Sequence, residues 1–208
     1  MDDGLSAPPG WRGQCDAGKD TTFRCNKKLI GARFFSSGIQ VENFLDGGPP
    51  LNETDLNSPR DFDGHGTHTL STSGGGFVPG ASVFGHGSGT AKGGSPRARV
   101  ASYKACYAPG CSGLDILQAM LAAVADGVHV LSLSLGGPPT DYVVDPIAIG
   151  AFYAVQKGVT VVCSAGNSGP DPGSVSNLAP WILTVAASTM DRDFPAFVTF
   201  GNNTIKVN

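Results

Sequence analysis

The stretch VHVLSLSLGG, Val128 to Gly137, decides the fold. It is a nearly continuous apolar run that stops at a pair of glycines, the pattern of a strand in a parallel sheet with both faces covered. Working upstream, Ile116, Leu117, Met120, Leu121 and Val124 follow helical spacing. Asp115 is placed to cap that helix and Gly127 to close it. Before it, ARVASYKAC (Ala98 to Cys106) reads as another strand. Working downstream, Pro146 to Gln156 forms a second helix with Ile147, Ala151, Phe152 and Val155 on one face and Gly158 at its end. VTVVCSAGN (Val159 to Asn167) and ILTVAAS (Ile182 to Ser188) are two further buried strands. Strands alternating with helices predict an α/β fold, a parallel β-sheet flanked by helices, with right-handed connections. Such sheets bind ligands at the carboxyl ends of their strands, here Ser134 to Gly137 and Ser164 to Asn167.

The rest of the chain narrows the classes of function. With 208 residues, 40% hydrophobic and 15% charged, it can bury a core and fits one globular domain or most of one. A net charge of -3 and the lack of a Lys/Arg-rich run argue against nucleic acid and against an anionic membrane surface. No window has the apolar length of a membrane span, and MDDGLSAPPG lacks the basic start and apolar middle of a signal peptide. The 30 glycines and 15 prolines follow no fixed period, which excludes a repeat architecture. Residues 1–60 read as turn-rich, with KLIGARFF (Lys28 to Phe35) the one strand. The cysteines form local pairs, Cys15 with Cys25 and Cys106 with Cys111, leaving Cys163 over. Sequons at Asn52 and Asn202 point with them to an oxidising, glycosylating compartment, although each alone also fits a plain surface loop. A secreted composition without a secretion signal suggests a chain that starts late.

DGHGTHT, Asp63 to Thr69, carries the chemistry. Two histidines three apart with glycine and threonine between them do not match the i, i+4 spacing and central glutamate of a zinc helix, so no metal is assigned. A general base needs one imidazole at the start of a helix with small neighbours, which Gly64, Gly66 and Thr67 provide. Asp63 is expected to cap this helix and Asp61 to sit in the preceding loop. Cys163 as an alternative nucleophile is disfavoured, because VTVVCSAG reads as a buried strand in which cysteine acts as a small hydrophobe. His86 and His129 read as loop and core residues, and the glycines from Gly74 to Gly94 lack the lysine of a phosphate loop.

GHGTHT, LSLSLGG and VVCSAGNSGP, in that order, resemble the motifs of the subtilisin-like serine proteases, and CNKKLIGARFF, SPRDFDGHGTHTLST and ARVASYKACY are similar to the plant subtilases in particular. The resemblance runs from about Asp3 to Asn208. It implies a secreted serine endopeptidase acting on peptide or protein substrates, without a cofactor. His65 would be the general base, with His68 a structural neighbour, and Asn167 would donate to the developing oxyanion. Ser134, Leu135 and Gly136 would pair with the substrate backbone as an added strand, with Gly110 to Leu114 as the second flanking strand. Ala165 and Gly166 would line the pocket for the residue before the scissile bond. Taken alone, Asn167 would fit an αL turn and Ser134 to Gly136 an ordinary sheet. The family's triad runs Asp, His, Ser along the chain. Its Asp-Thr/Ser-Gly strand and Gly-Thr-Ser-Met-Ala helix are absent here; Asp2 and Asp3 follow no apolar strand, and Ser188 lacks the glycine and the helix. The implied fold is therefore subtilisin-like and incomplete at both ends, with residues 1–60 as the turn-rich part of a catalytic domain and 61–208 as its centre, ending near a protease-associated insertion. A fragment of this kind is expected to be nearly inert alone and to expose apolar sheet; a non-catalytic peptide-binding role is the competing reading.

Overall fold

The computed structural model describes residues 6–191 and 196–207, so Asp2 and Asp3 lie outside it. After an N-terminal loop joined by the Cys15–Cys25 disulfide come β1 (Leu29–Phe34), α1 (Ser37–Leu45) and the short α2 (Glu53–Leu56). Then follow α3 (His65–Gly74), the antiparallel hairpin of β2 (Val78–Val83) and β3 (His86–Ala91), and β4 (Val100–Lys104). The two-residue strands β5 (Cys106–Tyr107) and β6 (Gly110–Cys111), closed by the Cys106–Cys111 disulfide, lead into α4 (Gly113–Asp126). β7 (Val130–Leu133), α5 (Pro146–Gln156), β8 (Thr160–Ser164) and β9 (Leu183–Val185) continue the alternation, and β10 (Ala196–Phe200) pairs with β11 (Asn203–Val207) in a final hairpin.

β7, β8 and β9 form a parallel sheet in register Leu131 to Val161 and Leu133 to Cys163 to Thr184, as the strand and helix alternation predicts. β1 and β4 form a second parallel pair. α4 and α5 pack on one face, where Leu131, Leu133, Val161 and Cys163 meet Ile116, Met120, Ile147 and Ala151 in the main core. The two helices approach closely at Gly150, where a Cβ would lie 2.7 Å from Met120 Sδ. The opposite face leaves Val130, Leu183 and Val185 exposed, so these strands alternate rather than being buried on both sides.

Several expectations are corrected. Ser112, not Asp115, caps α4, accepting from the Leu114 amide. Asp115 lies fully buried and instead accepts from the amides of Gly38 and Ile39, both at 2.8 Å, so that it caps α1. Residues 1–60 contain the helices α1 and α2, because the anchor that starts α1 lies some 77 residues away in sequence. Gly110 to Leu114 is not a continuous strand: Gly110 and Cys111 close a hairpin and Gly113 already belongs to α4. His86 opens the strand β3 and His129 is exposed at a bend rather than in the core. Gly127 at +89° and Gly158 at +80° adopt the left-handed φ that closes their helices.

Candidate active site

His65 is the first residue of α3 and is exposed, as is His68 one turn on. Gly64, at φ +103°, is the cap position, and it has no side chain to offer. Asp61 supplies the cap: its carboxylate accepts from the amides of Asp63 (3.0 Å), Gly64 (2.8 Å) and Thr67 (2.7 Å) and from the Thr67 hydroxyl (2.7 Å). The expected role of Asp63 is thereby corrected, since its own carboxylate accepts only a longer bond from the His65 amide at 3.3 Å. Burial pushes the Asp61 carboxyl up, but the Gly64 and Thr67 amides, the Thr67 hydroxyl and the Asp63 amide outweigh it and hold it at about 2. An ionised carboxylate at a helix N-terminus also satisfies amides that would otherwise lack partners. No side chain among the described residues hydrogen-bonds the His65 imidazole.

The second group gathers at the carboxyl ends of β7 and β8. β7 ends at Leu133, so Ser134, Leu135 and Gly136 run on past the sheet. Ala165 is buried, its amide donating to Val185 and its carbonyl accepting from Ser176. Gly166, at φ +86°, then turns the chain so that Asn167 stands exposed. Asn177 ties these ends together: its Nδ2 donates to the carbonyls of Leu135 and Ser164, both at 2.8 Å. Beside it Ser176 Oγ is buried without a hydrogen-bond partner among the described residues, close against Gly136 and Gly166. A Cβ on either glycine would come within 2.8 or 3.0 Å of that oxygen. Next to this crossing lies a cavity of about 470 Å³, its lining including Asp141, Tyr142, Asp145, Ile147, Val175 and Leu178. The Tyr142 hydroxyl donates across it to the Leu178 carbonyl at 3.1 Å.

Residues 39–208 match the Subtilase family. The chain belongs to that family. It is 54% identical to Subtilisin-like protease SBT5.3 of Arabidopsis thaliana over 97% of its own length and 26% of that protein's, and 56% identical to Subtilisin-like protease SBT5.4 of the same plant over 97% and 25%. Among solved structures, Sphericase is 22% identical, with a TM-score of 0.48, over 95% of this chain and 66% of its own. The chain spans about a quarter of the length of the curated relatives it matches.

In this subtilase chain, then, the structure brings Ser134–Gly136 and Ala165–Gly166 to one crossing, with Asn167 at its rim. It keeps His65 apart, on a helix that packs against β4 rather than on the β7 to β9 sheet. Two contributors escape the sequence reading. Asn177 sits at φ +57°, a conformation asparagine tolerates better than most residues, and a Ser-Asn pair among turn formers is its one local signal. Asp61 escapes because, besides the amides two and three residues ahead, it reaches the Thr67 amide six residues ahead, beyond the usual cap spacing.

Proposed function

We propose that this subtilase chain supplies the base, the oxyanion donor and the substrate cleft of a serine endopeptidase centre. The observation that carries the reading is the crossing at which Asn177 pins Leu135 to Ser164, because it fixes the ends of two parallel strands side by side next to a cavity of about 470 Å³. A peptide would lie along Ser134–Gly136, with the side chain before the scissile bond passing Ala165 and Gly166 into the cavity. The tight approach of Ser176 explains why glycine stands at positions 136 and 166. Asn167, exposed at the rim, would donate its amide to the oxyanion. His65, reachable from solvent, would take the proton of a serine hydroxyl and return it to the leaving amine. This chain contains no Gly-Thr-Ser-Met-Ala or Asp-Thr-Gly motif, so the hydroxyl and the orienting carboxylate must come from elsewhere in the working enzyme. By itself the chain should hydrolyse peptides negligibly.

The same reading places the protein outside the cell. Its support is the pair of disulfides and the exposed position of both sequon asparagines, Asn52 and Asn202. At Asn52 the side-chain oxygen already caps α2, accepting from Thr54 and Asp55. Among the described residues no helix is long and apolar enough to cross a membrane.

The test begins with the polypeptide that carries Asp61 to His68 in source tissue, treated with a fluorophosphonate that labels activated serines. A labelled protein larger than 21.2 kDa is expected. In that protein, Asn167→Ala should lower turnover by about 10² to 10³, the loss known for the oxyanion asparagine of subtilisin itself. His65→Ala should lower it by about 10⁶, again the magnitude in subtilisin. Full labelling and turnover of the His65→Ala protein would overturn the assignment. A tissue polypeptide of 21.2 kDa that takes no label would favour a non-catalytic peptide binder.

A further inference from the structure

The turn that presents His65 is held from behind by a group outside the cleft. Lys104 ends β4, and its side chain is only 11% exposed. Its ammonium, with three N–H donors to share, lies within hydrogen-bond distance of the carbonyls of Asp55 (3.0 Å), Ser58 (3.2 Å) and Arg60 (2.8 Å) and of the Asp55 carboxylate. The rings of Phe62 and Tyr107 lie 5.2 and 4.9 Å from its nitrogen. A compact ammonium can meet oxygens that converge from several directions, whereas a planar guanidinium cannot. The far side of the same loop is also fastened: Arg60 Nε donates to Asp20 at 2.7 Å, and the Arg60 amide donates to Ser58 Oγ. Directly after Arg60 comes Asp61, whose carboxylate collects the first turn of α3.

We propose that Lys104 is a positioning residue for His65. It fixes the carbonyls of residues 58 and 60 to the end of β4, which fixes where Asp61 stands and therefore where α3 begins. The bland alternative is a stabilising ion pair with Asp55. That alternative accounts for the contacts at Asp55 and leaves unexplained why the ammonium also meets the Ser58 and Arg60 carbonyls, in the loop that leads to the histidine. The proposal rests on His65 as the base, but its test does not need catalysis.

The experiment is amide hydrogen exchange and histidine NMR on the isotope-labelled chain. In Lys104→Met, exchange of the Gly64 and Thr67 amides is expected to rise about tenfold or more and the His65 imidazole signals to broaden, while the Gly38 and Ile39 amides stay within about twofold. Unchanged Gly64 and Thr67 amides overturn the proposal. An equal acceleration at all four amides also overturns it, because that is the signature of a general loss of stability. If Lys104→Met does not fold, Lys104→Gln, whose neutral amide is one bond shorter and cannot span the carbonyls of residues 55, 58 and 60, is judged by the same criteria. Failure of His65 as the base would appear separately, as hydrolysis that persists in the His65→Ala tissue enzyme.

Discussion

Of the residues that could carry nucleophilic or proton-transfer chemistry, Cys163 and His65 stand at opposite extremes. Cys163 is buried in β8, and its thiol is pushed up to about 12, chiefly by burial and further by the charge of Asp145. It should therefore remain unmodified by a maleimide near neutral pH in the folded chain and react stoichiometrically in denaturant; rapid labelling of native protein would put a cysteine mechanism back in play. Asp61 gives a second prediction. A carboxyl held below its ordinary value of 3.8 favours the folded state fully above that value and loses the contribution as pH falls towards about 2. Acidification between about pH 4 and pH 2 should accordingly loosen the first turn of α3. The Thr67 amide resonance, followed through that range, should titrate with a midpoint near 2. A midpoint at 3.8 would mean that the cap forms no such cradle in solution.

Among the elements, the joint between α1 and α4 is the most exacting. Asp115 receives both first-turn amides of α1, and a Cβ on Gly38 would lie 2.2 Å from Ser112 Oγ. Asp115→Ala strands two buried donors and should destabilise the chain by roughly 2 to 5 kcal/mol in denaturant melts. Gly38→Ala should be damaging by overpacking at the same place, and a melt unchanged in both variants would refute the joint. This joint also shows where sequence reading ends. The strands β7, β8 and β9 and the helices α4 and α5 were legible because their runs of apolar residues stand between turn-forming glycines and polar caps, although only one face of the strands proves to be buried. So was the clustering of Ser134–Gly136 with Ala165–Gly166, which follows from the parallel order alone. α1 was not legible: it carries exposed Phe44 and Leu45, and its start depends on a carboxylate far along the chain. Asp115 was misread for the same reason, since its place in a local cap pattern is real but its partners are remote. Asn177 joins two strand ends that only the fold makes neighbours.

For the whole molecule, surface is the governing quantity. The chain exposes 13409 Å², against roughly 9,000 Å² for a compact monomer of 21.2 kDa. Part of the excess is apolar: Val130, Leu183 and Val185 on the open sheet face, and Phe197 and Phe200 on the final hairpin. Exposed apolar side chains in this number seek partners. The isolated chain should bind an apolar dye such as anilinonaphthalene sulfonate and show a rising sedimentation coefficient with concentration; a dye-silent, concentration-independent monomer would contradict this. The way α1 is moored has a different consequence. Its position is set at its first turn, by Asp115, while its last residues stand in solvent and the segment from Asp46 to Leu51 is nearly all exposed. Its local hydrogen bonds reach only to Glu42, Asn43 and Phe44 of α1, with Asn43 holding Pro49, so an inserted tag or a protease nick next to Pro50 should leave the crossing of Leu135 and Ser164 undisturbed.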